Sequence, residues 1–60
     1  MKSYHILVVE DDKEILDGIG IYLKNQGYTV FKASNGIEGL ELIQKEEIHL
    51  AIVDIMMPRM

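Results

Sequence analysis

Acidic residues follow two apolar segments of the chain, and their spacing suits metal and phosphate chemistry. Glu10 and Asp11 come directly after residues 6–9 (ILVV), and Asp54 comes directly after residues 50–53 (LAIV). Neighbouring parallel strands end at the same end of a sheet, so these acids would meet in one pocket. Carboxylates held together repel one another unless a cation intervenes. Mg²⁺ suits such a site, because it prefers oxygen ligands and commonly shares them with a phosphate.

Helix capping is the simpler explanation for an acid after a strand, and it is the preferred interpretation for Asp12. Asp54 is different, because it precedes no obvious helix that it could cap. The paired placement of Glu10 and Asp11 with Asp54 therefore favours a functional site.

Three segments have the composition of strands. Residues 6–9 and 50–53 are continuous apolar runs without alternation, which is typical of strands buried on both faces of a parallel sheet. Residues 28–33 (YTVFKA) combine β-favouring residues with partial alternation. We therefore expect three strands, the first and third of them buried.

Two amphipathic helices are predicted between these strands. Residues 13–26 form the first, with Asp11 or Asp12 as its N-cap and Gly27 just beyond its C-terminus. Asn35 caps the second, which ends between residues 45 and 47. The predicted apolar positions are Ile15, Leu16, Ile19, Tyr22 and Leu23 in the first helix, and Ile37, Leu40 and Ile43 in the second.

Local details of the helices can also be predicted. Glu38, three residues after Asn35, completes a pattern like a capping box. Gly18 and Gly20 weaken the first helix if they lie in its interior, so we interpret them as close-packing positions.

Composition limits the classes of function. The 60 residues suffice for one small domain, and there is no cysteine for a disulfide or a thiolate metal site. The net charge of −4 argues against nucleic-acid contact by this chain itself, and no apolar run approaches the ~20 residues of a membrane span. The N-terminus lacks the features of a signal peptide, so we expect a cytoplasmic protein.

The β-α-β-α-β order, together with four short motifs, resembles the bacterial response-regulator receiver family. The motifs are residues 8–12 (VVEDD), 27–30 (GYTV), 33–40 (ASNGIEGL) and 53–58 (VDIMMP). The resemblance implies an α/β fold, a flavodoxin-like doubly wound parallel sheet truncated to β-α-β-α-β. Within this family, the motifs most resemble those of transcription regulators with a winged-helix output domain.

The resemblance also implies roles for individual residues. Asp54 would accept a phosphoryl group from a sensor histidine kinase or a small acyl phosphate. Mg²⁺ would be bound by Asp54, by Asp11 directly, by Glu10 directly or through water, and by the backbone carbonyl of Met56. Residues 57–58 would shape the neighbouring loop. The chain would be a signalling module rather than an enzyme.

The resemblance covers only part of a receiver, and residues 1–60 would be its N-terminal half. The family's later hydroxyl and lysine residues would lie beyond Met60, so we expect slow or undetectable phosphorylation of Asp54. With the family's strand order, residues 50–53 become an unpaired edge strand. An apolar edge tends to pair with another chain, so we expect self-association, such as a two-fold dimer.

Alternative functions remain open at this stage. A self-associating half-domain without phosphotransfer is the principal alternative. An aspartate-nucleophile phosphatase would need Asp-x-Asp after the first strand, where Glu10 occupies the nucleophile position. A nuclease of the acidic type would need a later Asp-x-Asp, which residues 54–56 (DIM) do not provide. A flavin site would need a phosphate-binding loop after the first strand, where the acidic residues would repel a phosphate.

His5 and His49 flank strands and are interpreted as strand-edge residues rather than phosphoryl carriers.

Overall fold

The strands and helices alternate along the chain as predicted. The structure is a computed structural model, and it describes residues 3–53. In chain order the elements are β1 (His5–Val9), α1 (Lys13–Asn25), β2 (Thr29–Ala33), α2 (Gly36–Lys45) and β3 (Leu50–Val53). Among the described residues, no helix is long and apolar enough to cross a membrane.

The three strands form one parallel sheet in the order β2-β1-β3. The central strand is β1, which pairs with β2 on one side and with β3 on the other. This is the truncated flavodoxin-like arrangement that the sequence predicted, in which a helix joins each strand to the next one along the chain.

Alternate side chains of β1 point to opposite faces of the sheet and form two small cores. Ile6 and Val8 pack with Leu16 of α1, whereas Leu7 and Val9 pack with Ala33 on the other face. Residues 6–9 are at most 4% exposed. The apolar run without alternation is therefore explained by burial on both faces, as predicted.

Helix α1 is capped as the sequence indicated. Asp12 is its N-cap, and Gly27 beyond its C-terminus has a φ of +96°, a conformation that favours glycine. Leu16, Ile19 and Leu23 pack on the sheet, but Ile15 and Tyr22 are exposed, so the predicted stripe is wrong at these two positions.

The two glycines of α1 differ in their surroundings. A Cβ at Gly20 would lie 3.2 Å from Cδ of Lys32, so close packing is confirmed there. A Cβ at Gly18 would have no atom within 4 Å. The prediction of close packing is therefore wrong for Gly18.

Helix α2 presents a different face to the sheet from the one predicted. Ile37, Leu40 and Ile43 are 72%, 60% and 48% exposed, and the helix packs through Gly39 and Leu42 instead. A Cβ at Gly39 would lie 3.0 Å from Cγ2 of Val9. The missing side chain lets the helix backbone approach β1 closely, and this approach sets the rotation of the helix.

Strand β3 exists as predicted, but the prediction that it is buried is wrong. All four of its residues are exposed, with Leu50 at 55% and Val53 at 53%. The cause is that β3 pairs only with β1 within residues 3–53 and neither helix packs on it. In the described part of the chain β3 is an edge strand.

Candidate functional site

The carboxyl ends of all three strands lie level with one another. Val9, the last residue of β1, is paired with Ala33 on one side and with Val53 on the other, and these are the last residues of β2 and β3. The acids that follow β1 therefore leave the sheet beside the residue that precedes Asp54. Asp54 itself lies outside the described residues.

Glu10 continues directly from β1 and is anchored at the carboxyl end of the sheet. Its backbone N–H donates to the carbonyl oxygen of Ala33 at 3.0 Å. Its carboxylate Oε2 accepts from the backbone N–H of Asp12 at 3.0 Å, and the residue is only 5% exposed. Burial of a carboxylate is costly without hydrogen bonds, so this bond helps to keep Glu10 in place.

Asp12 serves as a helix cap, as predicted. Its Oδ1 accepts from the backbone N–H groups of Glu14 at 3.0 Å and Ile15 at 3.3 Å. These bonds satisfy two of the N–H groups that the first turn of α1 leaves without an intrahelical partner.

Asp11 has a different environment from its two acidic neighbours. It is exposed, and its side chain makes no hydrogen bond or ion pair to another residue in the range 3–53. Its carboxylate is therefore accessible to an external ligand, in contrast to that of Asp12.

The donor chemistry at this end of the sheet fits Mg²⁺. Glu10 and Asp11 supply oxygen donors, the type that this ion prefers. Within residues 3–53, no three His, Asp or Glu side chains are grouped closely enough to hold a metal. The other predicted ligands, Asp54 and the carbonyl of Met56, lie outside the described residues, as does the loop at residues 57–58.

The end of β2 contributes a helix cap rather than a further ligand. Oδ1 of Asn35 accepts from the backbone N–H of Glu38 at 2.9 Å, as the predicted cap requires. The carboxylate of Glu38 accepts from the backbone N–H and the hydroxyl of Ser34, where a standard box would use the N–H of the cap residue. These bonds, the backbone one first, lower the pKa of Glu38.

A second polar cluster, which sequence reasoning missed, lies at the opposite end of the sheet. His5 begins β1 and His49 precedes β3, at the strand edges where the sequence placed them. Their ring centroids are 5.1 Å apart, and Nε2 of His49 lies 3.4 Å from a carboxylate oxygen of Glu47. His5 lies at the start of β1 and His49 just before β3, and these two strands pair in parallel. Their matching positions at the strand starts were the sequence feature that could have predicted the cluster.

Comparison with known proteins gives a consistent result. The family model described as "Response regulator receiver domain" matches residues 6–60. The chain is 57% identical over 56 residues to "Regulatory protein VanR" of Enterococcus faecium, covering 93% of this chain and 24% of that protein. It is 46% identical over 55 residues to "Response regulator RR06" of Streptococcus pneumoniae serotype 2 (strain D39 / NCTC 7466), covering 92% and 25%.

A third relative carries a different kind of name. The chain is 42% identical over 55 residues to a "Cyclic di-GMP phosphodiesterase" of Thermotoga maritima, covering 92% of this chain and 14% of that protein. The chain thus spans a quarter or less of the length of these three relatives. No solved structure gives a significant match.

Proposed function

Because this chain belongs to the family of response regulator receiver domains, we propose that it acts as a phosphoacceptor module in two-component signal transduction, with Asp54 as the acceptor. The observation that supports this role is the pairing of Val9 with Val53. It brings the residue before Asp54 beside the strand that leads into Glu10 and Asp11. An acceptor carboxylate needs such neighbours if a cation is to offset its charge.

In the proposed site, Asp11 would hold Mg²⁺ directly and Glu10 would hold it directly or through water, together with Asp54 and the backbone carbonyl of Met56. Mg²⁺ held by these residues would offset negative charge on the carboxylate and on the incoming phosphoryl oxygens. The buried position of Glu10 and the exposed position of Asp11 support different roles for the two acids. Glu10 shapes the interior of the site, while Asp11 faces the approaching ligand.

The proposed reaction transfers one phosphoryl group. A carboxylate oxygen of Asp54 forms a bond to phosphorus, and the bond from phosphorus to the donor's histidine nitrogen or acyl oxygen breaks. The bonding electrons leave with the donor. The product is an acyl phosphate on Asp54, and the donor partner is a sensor histidine kinase. The chain is the substrate of this step, so we propose no enzymatic activity of its own.

Control of transcription is the proposed output, since a further relative, 39% identical over 59 residues, is named "Transcriptional regulatory protein GlrR" of Escherichia coli (strain K12). The phosphodiesterase among the relatives indicates that related segments occur in proteins with another output. The receiver role is therefore proposed independently of the output.

Intact mass spectrometry tests the acceptor role. After prolonged incubation of the 60-residue chain with Mg²⁺ and a small acyl phosphate, we expect one slowly formed phosphoryl adduct that hydroxylamine removes. Asp54→Asn should abolish it. Asp17→Asn is the matched control, because Asp17 lies within α1 and its carboxylate is paired with Lys32. An adduct that persists in Asp54→Asn, or no adduct on a folded chain, would contradict the proposed activity of this chain.

A second candidate function is self-association through β3, and the exposure of this strand favours it. Leu50, Ile52 and Val53 are 55%, 38% and 53% exposed on an edge strand without charge. Pairing of two β3 strands around a two-fold axis would extend the sheet and cover these side chains.

Sedimentation equilibrium tests this second candidate. We expect the wild-type chain to form a dimer and Ile52→Lys to shift it towards monomer. Ile21→Lys is the control, because Ile21 is 61% exposed on α1 and lies outside β3. A folded wild-type monomer at high micromolar concentration would exclude this candidate.

A further inference from the structure

A side chain takes part in the junction between β1 and β3 at the end opposite the acidic residues. The backbone N–H of His49 donates to the carbonyl of His5 at 2.9 Å. In return, the backbone N–H of His5 donates to Nδ1 of the His49 ring at 2.8 Å. Backbone N–H groups at a sheet junction usually donate to carbonyl oxygens, so the imidazole takes the place of a backbone acceptor.

This contact defines which nitrogen of the His49 ring carries the proton when the ring is neutral. A ring nitrogen accepts a hydrogen bond only when it carries no proton, so the proton of the neutral ring is on Nε2. That nitrogen lies 3.4 Å from Oε2 of Glu47. A second proton on Nδ1 would point at the N–H of His5, and the two donors could not form a bond.

We propose that the neutral imidazole of His49 attaches the start of β3 to β1, and that protonation of Nδ1 releases this attachment. The strand is well placed to respond, because β3 pairs with β1 alone within residues 3–53 and no helix packs on it. Acid would therefore loosen the strand whose last residue, Val53, is paired with Val9. This inference does not depend on phosphorylation of Asp54.

The groups that face His49 determine how strongly it responds to pH. Tyr4 contacts its ring edge-on at a centroid distance of 5.5 Å, and Tyr28 and His49 line one apolar groove. Glu47 also faces the ring, but its side chain is 78% exposed, so solvent screens its charge.

His5 is the other histidine of this cluster. Its ring lies 5.1 Å from that of His49, and its Nδ1 is 2.6 Å from the carbonyl oxygen of Glu47. Protonated His5 can still donate to this carbonyl, so its own bond survives acid.

An Asn substitution separates the hydrogen bond from the titration. In His49→Asn, Oδ1 is as many bonds from the backbone as Nδ1 and can accept from His5, but it does not titrate. In the wild-type 60-residue chain, we expect the amide proton shift of His5 to move together with the titration of the His49 ring. In His49→Asn only the contribution of the His5 ring itself should remain. In His5→Gln, which removes the other imidazole, the amide proton shift at position 5 should still follow the titration of the His49 ring.

Urea unfolding gives a second measurement on the same chains. Between pH 7.5 and 5.0, the unfolded-to-folded ratio should rise about twofold to tenfold more in the wild type than in His49→Asn, the range expected for loss of one hydrogen bond. Added sulfate, which strengthens apolar burial, allows the measurement if the chain is only marginally stable. Three results would overturn the proposal. The first is equal pH dependence of unfolding in the wild type and His49→Asn, and the second is a His5 amide shift that does not change with the titration of His49. The third is an amide spectrum without dispersed signals even in sulfate.

Discussion

Gly39 of α2 lies directly against Val9 of β1, so closely that a Cβ on the glycine would be 3.0 Å from Cγ2 of the valine. Val9 is 4% exposed in the central strand and has a stiff, β-branched side chain. This contact fixes which face of α2 packs on the sheet, and it leaves Ile37, Leu40 and Ile43 exposed.

Substitution of glycine by alanine should have opposite effects on the two helices. Gly39→Ala gains helix propensity but overpacks the contact with Val9, and we expect a net loss of about 1 kcal/mol in the free energy of unfolding. Gly18→Ala meets no atom within 4 Å and should gain up to about 1 kcal/mol. Urea unfolding of both variants measures the two changes. Stabilisation by Gly39→Ala would show that α2 can move away from β1 at little cost.

Asp11 and Asp12 are adjacent acids with separate expected roles. Asp11→Asn should weaken Mg²⁺ binding by at least about tenfold, since loss of an outer-shell partner alone can have such an effect. Asp12→Asn should leave the affinity nearly unchanged, because Asp12 caps α1 and asparagine caps a helix equally well. Calorimetric titration with Mg²⁺ compares them. Equal losses in the two variants would contradict the assignment of Asp11 as the metal ligand.

The cap of α2 should make stability depend on pH through Glu38. Hydrogen bonds from Ser34 hold the pKa of Glu38 below its ordinary value of 4.5. A carboxyl whose pKa is lower in the folded chain contributes stability above its unfolded pKa, and this contribution is lost as pH falls through the folded value. Between pH 6 and 3, the unfolding midpoint in urea should therefore fall more in the wild type than in Glu38→Gln. Parallel decreases would mean that this bond contributes nothing measurable.

Lys32 contacts α1 through both its charge and its aliphatic stem. Its ammonium group lies 3.0 Å from Oδ1 of Asp17, and its Cδ packs over Gly20. The ion pair lowers the pKa of Asp17, but both side chains are 45% exposed and solvent weakens the attraction. We expect Lys32→Met, which keeps the stem, to change the unfolding midpoint little and Lys32→Ala to lower it more. A larger effect of Lys32→Met would show that the charge matters more than the packing.

The sequence by itself determined the features that depend on near neighbours along the chain. The apolar run of β1, the cap at Asp12 and the glycine at position 27 were all predictable, because strand burial patterns, capping bonds and positive φ are set within a few residues. The acids after the first and third strands were identified for the same reason, and so was the family.

The tertiary structure decided what depends on distant partners. Burial of β3 could not be judged from its composition, because it depends on which elements cover the strand. The packing face of α2 was predicted wrongly, since close approach at Gly39 outweighed the apolar periodicity. The pairing of His5 with His49 joins residues 44 positions apart and needed the strand register. Such contacts form only when the sheet assembles, so local sequence patterns do not encode them.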